Sequence, residues 1–456
     1  MTKSLVKSIV EMGAVKAHKL YRKVITLPAC PVEWDTLKLW YTPGVAEPCR
    51  EIMKDSNEVW EQTGRANRVA IVSDGTRILG LRSEGVYGAQ ASLPVMEGKA
   101  LLFRALGAVE AFPLVLGWRD GDDICIPDIK EIINIVESTQ SNFGGVNLED
   151  IEAKDDKCFK ILNTLRSDPK LKIPVWHDDQ QGTATIVLSA VINAVKLAGK
   201  DKKSLKFTCI GSGSAMLAII RLLKAWGISY EQIRLLDSKG SVDKGRDDIS
   251  DDSEKGKLKS KVEQFHVLGD KESKEKAVKD ADILLAASAS KPEGIINPSI
   301  IKNMKCKPII IAMANPYPEI NPDDAKSNGA FIVGTGRSDF PNQVNNSSAF
   351  PGIFRGILDT RSSTITDTVA IAAAEAIADR AEGLEGFGPE KILPRMDDID
   401  MVGDIALAVA KQAMKEKLAS KPIKTNKEKL YRNDVKERIK KVRRMIDEVV
   451  REVENG

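Results

Sequence analysis

A glycine-rich turn between a strand-like run and an apolar helix constrains the fold of this chain more than any other feature. Residues 206–210 are apolar and strand-like, Gly211 and Gly213 follow at once, and apolar residues with helical spacing come next. The first glycine allows a tight turn, and the second lets the backbone approach a pyrophosphate at the helix N-terminus, where unpaired N–H groups favour anions. The third position of this fingerprint holds Met216 instead of glycine or alanine, so the turn taken alone is weak evidence for a dinucleotide site.

The next strand-like run ends in an acidic residue. Asp237 stands 24 residues after Gly213, near the place of the acid that binds a ribose hydroxyl in dinucleotide-binding domains. The acid favours NAD, whereas Ser238 and Lys239 beside it favour the 2′-phosphate of NADP, and NAD is slightly preferred. A doubly wound domain without a nucleotide is the alternative. The candidate cofactor-binding residues of this region are Gly211, Gly213, Ala215, Asp237 and Ser238.

Two pairs of acidic residues also follow strand-like runs. Glu149 and Asp150 come directly after residues 145–148, and Asp178 and Asp179 follow a second apolar run. Two such pairs at strand ends provide the carboxylate oxygens that Mg²⁺ or Mn²⁺ prefers. The chain has three dispersed histidines, so any metal would be held by carboxylates. The alternative is that each pair caps the N-terminus of a helix.

Apolar strand-like runs alternate with helical patterns in two series. This alternation predicts an α/β fold with parallel, buried sheets. We predict an N-terminal α/β substrate and metal domain, a doubly wound Rossmann-type domain that binds NAD(P), and C-terminal helices. The strand-like runs are residues 69–72, 112–116, 145–148 and 173–175 in the first series, and 206–210, 233–237, 283–287, 309–314 and 331–335 in the second.

The chain has 456 residues, which is too long for one ordinary core. We expect domain boundaries that give residues 1–182, 183–392 and 393–456, with a helix over residues 183–198 as the hinge. The charged segment 244–261 is predicted to be a solvated loop and helix.

Charge and composition exclude several classes of function. The chain carries 68 Lys and Arg residues against 65 Asp and Glu residues, which gives no reason to expect nucleic-acid binding. No apolar run reaches membrane-spanning length. The six cysteines have no paired spacing, and we interpret them as reduced core thiols. These features favour a cytoplasmic protein that acts on a small molecule.

Six sequence motifs, in order from about residue 20 to residue 378, resemble those of the malic enzymes in their short bacterial and archaeal form. The resemblance implies oxidative decarboxylation of malate to pyruvate and CO₂, with NAD(P)⁺ and Mn²⁺ or Mg²⁺. The motifs occupy residues 41–46, 73–81, 94–100, 147–150, 177–184 and 340–346.

The resemblance also implies roles for individual residues. Lys99 matches the general base of the family, Tyr41 its general acid, and Asp178 a carboxylate that assists the lysine. Arg77 and Asn346 match groups that hold the substrate carboxylate. The matches to the metal ligands are Glu149, Asp150 and Asp179, and Asn315 matches a residue at the edge between substrate and nicotinamide.

Physical chemistry is compatible with these roles. A lysine can serve as a base near neutral pH if burial or a nearby cation lowers its pKa. Each residue also has a simpler interpretation. Tyr41 could be a packed aromatic residue, Lys99 a solvated residue near a helix start, Asn346 a turn residue, and His177 a structural residue.

One departure from the family leaves alternatives open. The family usually has glycine at the position of Arg82, so a bulky cation there is a candidate modifier of substrate affinity. The competing hypotheses are a malolactic-type decarboxylase that releases lactate and a non-catalytic regulator that binds dinucleotide or dicarboxylate.

The resemblance suggests a homodimer or homotetramer, in which the segment that carries Tyr41 completes the partner's site.

Overall fold

The computed structural model of the chain describes residues 7, 11–12, 15–16, 30–78, 88–259, 261–263, 271–288 and 291–455. Arg82, and with it the departure from the family pattern, lies outside the described residues. The described strands are β1 (Arg68–Ser73), β2 (Glu110–Val115), β3 (Trp118–Asp120), β4 (Asp123–Cys125), β5 (Gly145–Leu148), β6 (Val175–His177), β7 (Phe207–Ile210), β8 (Ile233–Asp237), β9 (Gly240–Ser241), β10 (Ile283–Ala286), β11 (Ile309–Ala312) and β12 (Ile332–Thr335).

Helices cover both sheets and form the C-terminal part of the chain. The described α-helices are α1 (Trp34–Trp40), α2 (Ala46–Lys54), α3 (Val59–Gln62), α4 (Ala89–Gly107), α5 (Ile129–Thr139), α6 (Lys157–Ser167), α7 (Thr183–Ala198), α8 (Ser214–Trp226), α9 (Gly256–Lys259), α10 (Lys271–Val278), α11 (Pro322–Ser327), α12 (Phe350–Thr360), α13 (Asp367–Glu382), α14 (Ile399–Lys415) and α15 (Glu428–Asn455).

The first sheet is parallel and has the strand order β2-β1-β5-β6. Leu148 at the end of β5 pairs with His177 at the end of β6, so the residues that follow these strands emerge at the same edge. The prediction of parallel strands here is confirmed. The strand predicted over residues 173–175 instead begins at Val175, because Pro174 has no N–H to donate to a ladder.

The second sheet has the order β12-β11-β10-β7-β8-β9, and its first five strands are parallel. These five are the strands predicted from the second series of apolar runs. The short strand β9 pairs antiparallel with β8 and was not predicted. It is two residues long, too short to produce a periodic pattern in the sequence.

The helix predicted over residues 183–198 is α7, and it packs against α8 and α13. Asn193 in its middle donates hydrogen bonds from Nδ2 to the carbonyl oxygens of Ala378, at 3.0 Å, and Ile392, at 2.8 Å. Contrary to the expectation from the sequence, one stretch of the described residues, Asp178–Ala198, is long and apolar enough to cross a membrane, and 78% of its 18-residue apolar window is buried within the protein. Such burial is typical of a core helix.

Helices α12 and α14 cross at two glycines. A Cβ on Gly352 would lie 2.6 Å from Cβ of Ile405, and one on Gly356 would lie 2.5 Å from the carbonyl oxygen of Ala406. The last helix, α15, packs against α14 and α4, and Arg443 on it donates from Nε to the carbonyl oxygen of Ala105 at 3.0 Å. The C-terminal helices therefore pack directly behind the helix that carries Lys99.

Two sequence-based expectations were wrong. Segment 244–261 is not simply solvated, because Arg246 within it is buried against the end of β8. The cysteines are not all core thiols, since Cys158 and Cys209 are buried while Cys30, Cys49, Cys125 and Cys306 are exposed.

Candidate active site

The two acidic pairs meet at the carboxyl edge of the first sheet. Glu149 and Asp150 follow β5, Asp178 and Asp179 follow β6, and these strands are parallel neighbours. The backbone N–H of Asp150 donates to Oδ2 of Asp179 at 2.8 Å. Glu149, Asp150 and Asp178 are buried. We name these four residues the strand-end acids.

Lys99 on α4 reaches into the strand-end acids. Its Nζ lies 3.0 Å from Oε1 of Glu149 and donates to Oδ2 of Asp178. The side chain is 7% exposed, and Nζ lies 4.2 Å from the centre of the Phe350 ring. A solvated lysine is therefore the wrong interpretation, and the structure brings together the residues that the resemblance paired.

Burial and neighbouring charges shift the pKa values of this group in opposite directions. Burial lowers the pKa of Lys99, but the charges of Asp178 and Glu149 outweigh burial and raise it above its usual value. Burial raises the pKa of Glu149 and that of Asp178, against the opposing charge of Lys99. Burial alone therefore does not make Lys99 a base near neutral pH, because its two carboxylate partners favour the charged ammonium form.

Asp178 is held in place by two residues whose importance the sequence analysis missed. Trp176 donates from Nε1 to Oδ1 of Asp178 at 2.9 Å. The chain then makes one π-helical turn, Asp178–Gly182, before α7 begins. A Cβ on Gly182 would lie 1.9 Å from the same Oδ1. Gly182 belongs to the motif over residues 177–184 and Trp176 directly precedes it, but their proximity to one carboxylate arises from the turn and leaves no periodic signal.

Arg77 connects the strand-end acids to the dinucleotide-binding region. Its backbone N–H donates to the carbonyl oxygen of Asp150 at 3.0 Å, and its Nη1 donates to Oγ of Ser214 at 3.2 Å. Burial raises the pKa of Asp179, but the charge of Arg77, together with His177, Lys99 and the hydrogen bond from Asp150, outweighs burial and holds that pKa below its usual value. Arg77 is therefore placed to hold an anion between the two sheets.

His177 is a structural residue. Its side chain is fully buried, and burial lowers its pKa to about 4. The imidazole is neutral at physiological pH. The backbone N–H of His177 donates to Oε1 of Gln181 at 3.0 Å, which ties the end of β6 to the turn that follows.

The chemistry of the donor set fits a divalent cation. Four carboxylates face two cationic side chains, Lys99 and Arg77, so the edge carries excess negative charge. Glu149 is turned toward Lys99, and it also accepts from Nδ2 of Asn147 at 2.9 Å. Within the part of the chain that the structure describes, no three potential ligands converge closely enough to enclose an ion as they stand. A bound metal would compete with Lys99 for Glu149.

The glycine-rich turn has the shape that its sequence predicts. Gly211 has φ +101°, and a Cβ there would lie 2.1 Å from the carbonyl oxygen of Ala287. A Cβ on Gly213 would meet nothing within 4 Å, so open space lies above the N-terminus of α8. Met216 is fully buried in the core. The core therefore accommodates the methionine at the third fingerprint position, and the packing of α8 is not loosened.

A buried carboxylate supports the neighbouring strand ends. Glu319 accepts from the N–H of Ser288 at 2.7 Å and from the N–H of Ala314 at 3.0 Å. Burial raises its pKa. Asn315 directly follows Ala314 in the chain. Its Nδ2 lies 2.6 Å from the position that a Cβ on Gly336 would occupy. The sequence indicated Asn315 but not Glu319. Glu319 lies within an apolar and proline-rich stretch, and its hydrogen bonds leave no pattern in the sequence.

The remaining predicted substrate residues lie in different places. Asn346 is adjacent to the turn that begins with Asp178 and Asp179. The Cβ of Asn346 lies 3.3 Å from the position that a Cβ on Gly182 would occupy. Tyr41 is 74% exposed at the end of α1, and among the described contacts it makes no hydrogen bond with the strand-end acids or Lys99. Trp34 and Trp40 on the same helix are also exposed. The structure brings Asn346 to the site and leaves Tyr41 outside it.

Asp237 ends β8 as predicted, but it is not open to a ligand. Arg246 donates from Nη1 to Oδ1 at 3.0 Å and from Nη2 to Oδ2 at 3.1 Å. Lys255 also donates to Oδ2, and the backbone N–H of Lys239 donates to Oδ1 at 2.9 Å. Burial raises the pKa of Asp237, but Arg246 and Lys255 outweigh burial and lower it.

Two family models match the chain. The one described as "Malic enzyme, N-terminal domain" covers residues 22–166, and the one described as "Malic enzyme, NAD binding domain" covers residues 180–414. Together they include Glu149, Asp150 and every described strand except β6, which lies with Asp178 and Asp179 between the two matched ranges.

Relatives and solved structures agree with these matches. The chain is 44% identical over 384 residues to the bifunctional malic/malolactic enzyme of Bacillus subtilis, with 84% of this chain and 87% of that relative covered. It is 43% identical over 401 residues to the NADP-dependent malic enzyme of Rhizobium meliloti, with coverage of 85% and 49%, and so spans about half of that relative's length. The crystal structure of Entamoeba histolytica malic enzyme superposes with a TM-score of 0.88 at 37% identity, covering 98% of this chain and 89% of that one.

Proposed function

Because the chain belongs to the malic enzyme family, we propose that it catalyses the oxidative decarboxylation of L-malate to pyruvate and CO₂ with reduction of NAD(P)⁺. The burial of Lys99 between Glu149 and Asp178 carries this proposal. A lysine held between carboxylates can move a proton to and from a substrate hydroxyl. Arg77 joins this group to the helix where the dinucleotide pyrophosphate would bind.

Lys99 and Asp178 form the proton path of the proposed reaction. Lys99 donates to Asp178, so Asp178 is placed to accept the lysine proton. Lys99 would then have a lone pair for the proton of the C2 hydroxyl, and a bound nicotinamide would supply the hydride acceptor. After CO₂ departs, the general acid, for which Tyr41 is proposed, would protonate C3, and the pair would return a proton to that acid.

Glu149, Asp150 and Asp179 are the proposed ligands of Mg²⁺ or Mn²⁺. Such an ion, when bound, would polarise the substrate oxygen and stabilise the enolate left by decarboxylation. Arg77 and Asn346 would hold the substrate carboxylate, since Arg77 contacts Asp150 and Asn346 lies beside Gly182 in the turn that begins with Asp178 and Asp179. Asn315 would lie at the nicotinamide edge, in a position that Glu319 fixes through Ala314.

We further propose a homodimer or homotetramer in which Tyr41 serves the partner's site as the general acid. The exposure of Tyr41 and of its apolar neighbours on α1 supports a surface covered by another subunit. We also propose a cytoplasmic location and a division of the chain into residues 1–182, 183–392 and 393–456.

A malolactic reaction is the second candidate, because one relative is named a bifunctional malic/malolactic enzyme. On the same scaffold it would release lactate without net reduction of the coenzyme. The deciding experiment incubates the protein with L-malate, Mn²⁺ and either NAD⁺ or NADP⁺, and then measures reduced coenzyme, pyruvate and lactate. Reduced coenzyme and pyruvate in equal amounts would support the malic reaction. Lactate without reduced coenzyme would support the malolactic one, and no turnover would favour a non-catalytic regulator.

A further inference from the structure

We propose that a cavity between α6, α8 and α9 binds a small aliphatic carboxylate whose other end carries a carbonyl oxygen, with Arg221 holding the carboxylate and Gln181 donating to the carbonyl group. The cavity has a volume of about 210 Å³. Its described lining includes none of the residues proposed for the metal, the substrate or the dinucleotide. The inference therefore goes beyond the proposed function and assigns a separate ligand site.

Apolar side chains from three helices form the walls of the cavity. Phe159 on α6 lines one side, Leu217 and Leu222 on α8 line another, and Leu258 on α9 lines a third. An apolar cavity of about 150 Å³ can hold one benzene molecule. This cavity therefore has room for an apolar segment of similar size with a polar group at each end.

Gln181 provides a hydrogen-bond donor in the buried part of the wall. Its side chain is 7% exposed. Oε1 accepts from the backbone N–H of His177, which fixes the orientation of the amide and leaves Nε2 as the polar atom available to the cavity. Among the described residues, Nε2 has no hydrogen-bond acceptor. Because a buried donor without a partner is costly, a ligand carbonyl oxygen at Nε2 would stabilise this arrangement.

Arg221 supplies positive charge at the solvent-facing side of the cavity. Its side chain is 50% exposed, and it donates from Nε to Oδ2 of Asp367 at 2.9 Å and from Nη2 to Oδ1 at 2.7 Å. A guanidinium group also has donors on Nη1, so Arg221 can bind a ligand carboxylate while it keeps Asp367. The carboxylate would then stay near water, and the other end of the ligand would reach Gln181.

The charged residues of the lining favour an anion. Arg221, Lys257 and Lys261 line the cavity, and the acidic residues there are Glu254 and Asp367. Three cationic side chains thus face two carboxylates. A ligand carboxylate would meet net positive charge and accept charge-assisted hydrogen bonds, whereas an ammonium group would be repelled.

A further guanidinium group lies near this rim. Arg166 on α6 donates from Nη2 to the carbonyl oxygen of Ile365 at 2.6 Å and from Nε to that of Val175 at 3.2 Å. Burial, together with the charge of Arg221, lowers the pKa of Arg166 to about 10, against the opposing charge of Asp367. A bound anion would offset the repulsion between the two guanidinium groups.

The test measures the binding of three probes to the intact protein by titration calorimetry, without malate, metal or coenzyme. 5-Oxohexanoate has both polar ends, hexanoate lacks the carbonyl group, and 2-hexanone lacks the carboxylate. We expect 5-oxohexanoate to bind, and each of the other two to bind at least about tenfold more weakly.

Two variants locate the binding in this cavity. Ala218 lines the cavity, so Ala218→Leu should fill it and abolish binding of 5-oxohexanoate, whereas Ala225→Leu at an exposed position of the same helix should leave binding unchanged. Arg221→Gln should weaken 5-oxohexanoate to about the affinity of 2-hexanone. Arg395→Gln is its matched control, because Arg395 is exposed and donates to Asp397 through the same two groups, Nε and Nη2.

Absence of binding of 5-oxohexanoate to the wild type, equal binding of the three probes, or unchanged binding in either Ala218→Leu or Arg221→Gln would overturn the site. The proposed function is tested separately, by product formation from malate, so the two can fail independently.

Discussion

Gly182 lies so close to Asp178 that a Cβ on the glycine would come within 1.9 Å of Oδ1 of the carboxylate. The same oxygen accepts the indole N–H of Trp176, and the other oxygen accepts from Lys99. Because Gly182 has no side chain, the carboxylate of Asp178 can occupy the position on which the proposed proton path depends.

Replacement of Gly182 by alanine should displace Asp178 and reduce kcat about a hundredfold, because small misplacement of reacting groups is costly. Steady-state kinetics with L-malate would measure this loss. Gly98→Ala is the matched control, since Gly98 lies next to Lys99 on α4 and a Cβ there meets nothing within 4 Å. That change should keep activity and raise the free energy of unfolding by about 0.5–1 kcal/mol. Equal activity in the two variants would argue against this role of Gly182.

The proposed metal ligands can be tested by direct binding. We expect the wild-type chain to bind Mn²⁺ and the Asp179→Asn variant to bind it at least about tenfold more weakly, because a ligand oxygen and its charge are lost. Electron paramagnetic resonance of free Mn²⁺ measures this affinity. Asp123→Asn changes an exposed carboxylate on β4 and should have no effect. Unchanged affinity in Asp179→Asn would remove Asp179 from the site.

Sharing of the site between subunits predicts complementation. Tyr41→Phe and Lys99→Ala protein should each be nearly inactive. When the two are mixed, dissociated and reassociated, half of the dimers become mixed and each mixed dimer contains one intact site. About a quarter of wild-type activity should return. If every chain used its own Tyr41, mixing would restore none, and the exposure of Tyr41 would need another explanation.

Acid should weaken the attachment of the last helix. Burial raises the pKa of Asp359, but Arg355 and Arg438 outweigh burial and hold it below its usual value. A depressed folded-state pKa contributes stability that is present above the unfolded value, near 4, and is lost as pH falls through the folded value. Asp359→Asn should therefore cost about 3 kcal/mol at neutral pH, and less at low pH.

Thermal unfolding of the wild type and of Asp359→Asn between neutral and acidic pH would show whether their stabilities converge as the pH falls. Asp434→Asn provides the control, because Asp434 pairs with the same Arg438 at the exposed surface and should cost less than about 1 kcal/mol. A stability difference for Asp359→Asn that does not depend on pH would contradict the assignment.

The sequence was sufficient to predict both parallel sheets and the meeting of the acidic pairs. Buried parallel strands appear as apolar runs, and the residues that follow neighbouring strands share an edge. Lys99, Arg77 and Asn346 also lie at or beside this edge, and the roles predicted for them stay predictions. The association of Lys99 with these acids came from the family motifs, since the spacing around it suggested only a helix.

Other features depend on contacts that have no pattern in the sequence. Asp237 was predicted as a ribose ligand from its distance to Gly213, but Arg246 and Lys255 occupy its oxygens from a loop with no regular spacing. Glu319 joins two strand ends that are far apart in the chain. Met216 violates the glycine fingerprint, yet the core accommodates it.

The role of Lys99 is tested most directly by comparing wild-type protein with Lys99→Ala in one assay that follows reduced coenzyme and pyruvate from L-malate with Mn²⁺. We expect equal amounts of both products from the wild type. For Lys99→Ala we expect a rate lower by about 10³-fold, with binding of the dinucleotide retained. A Lys99→Ala rate close to that of the wild type would contradict the central role of this lysine.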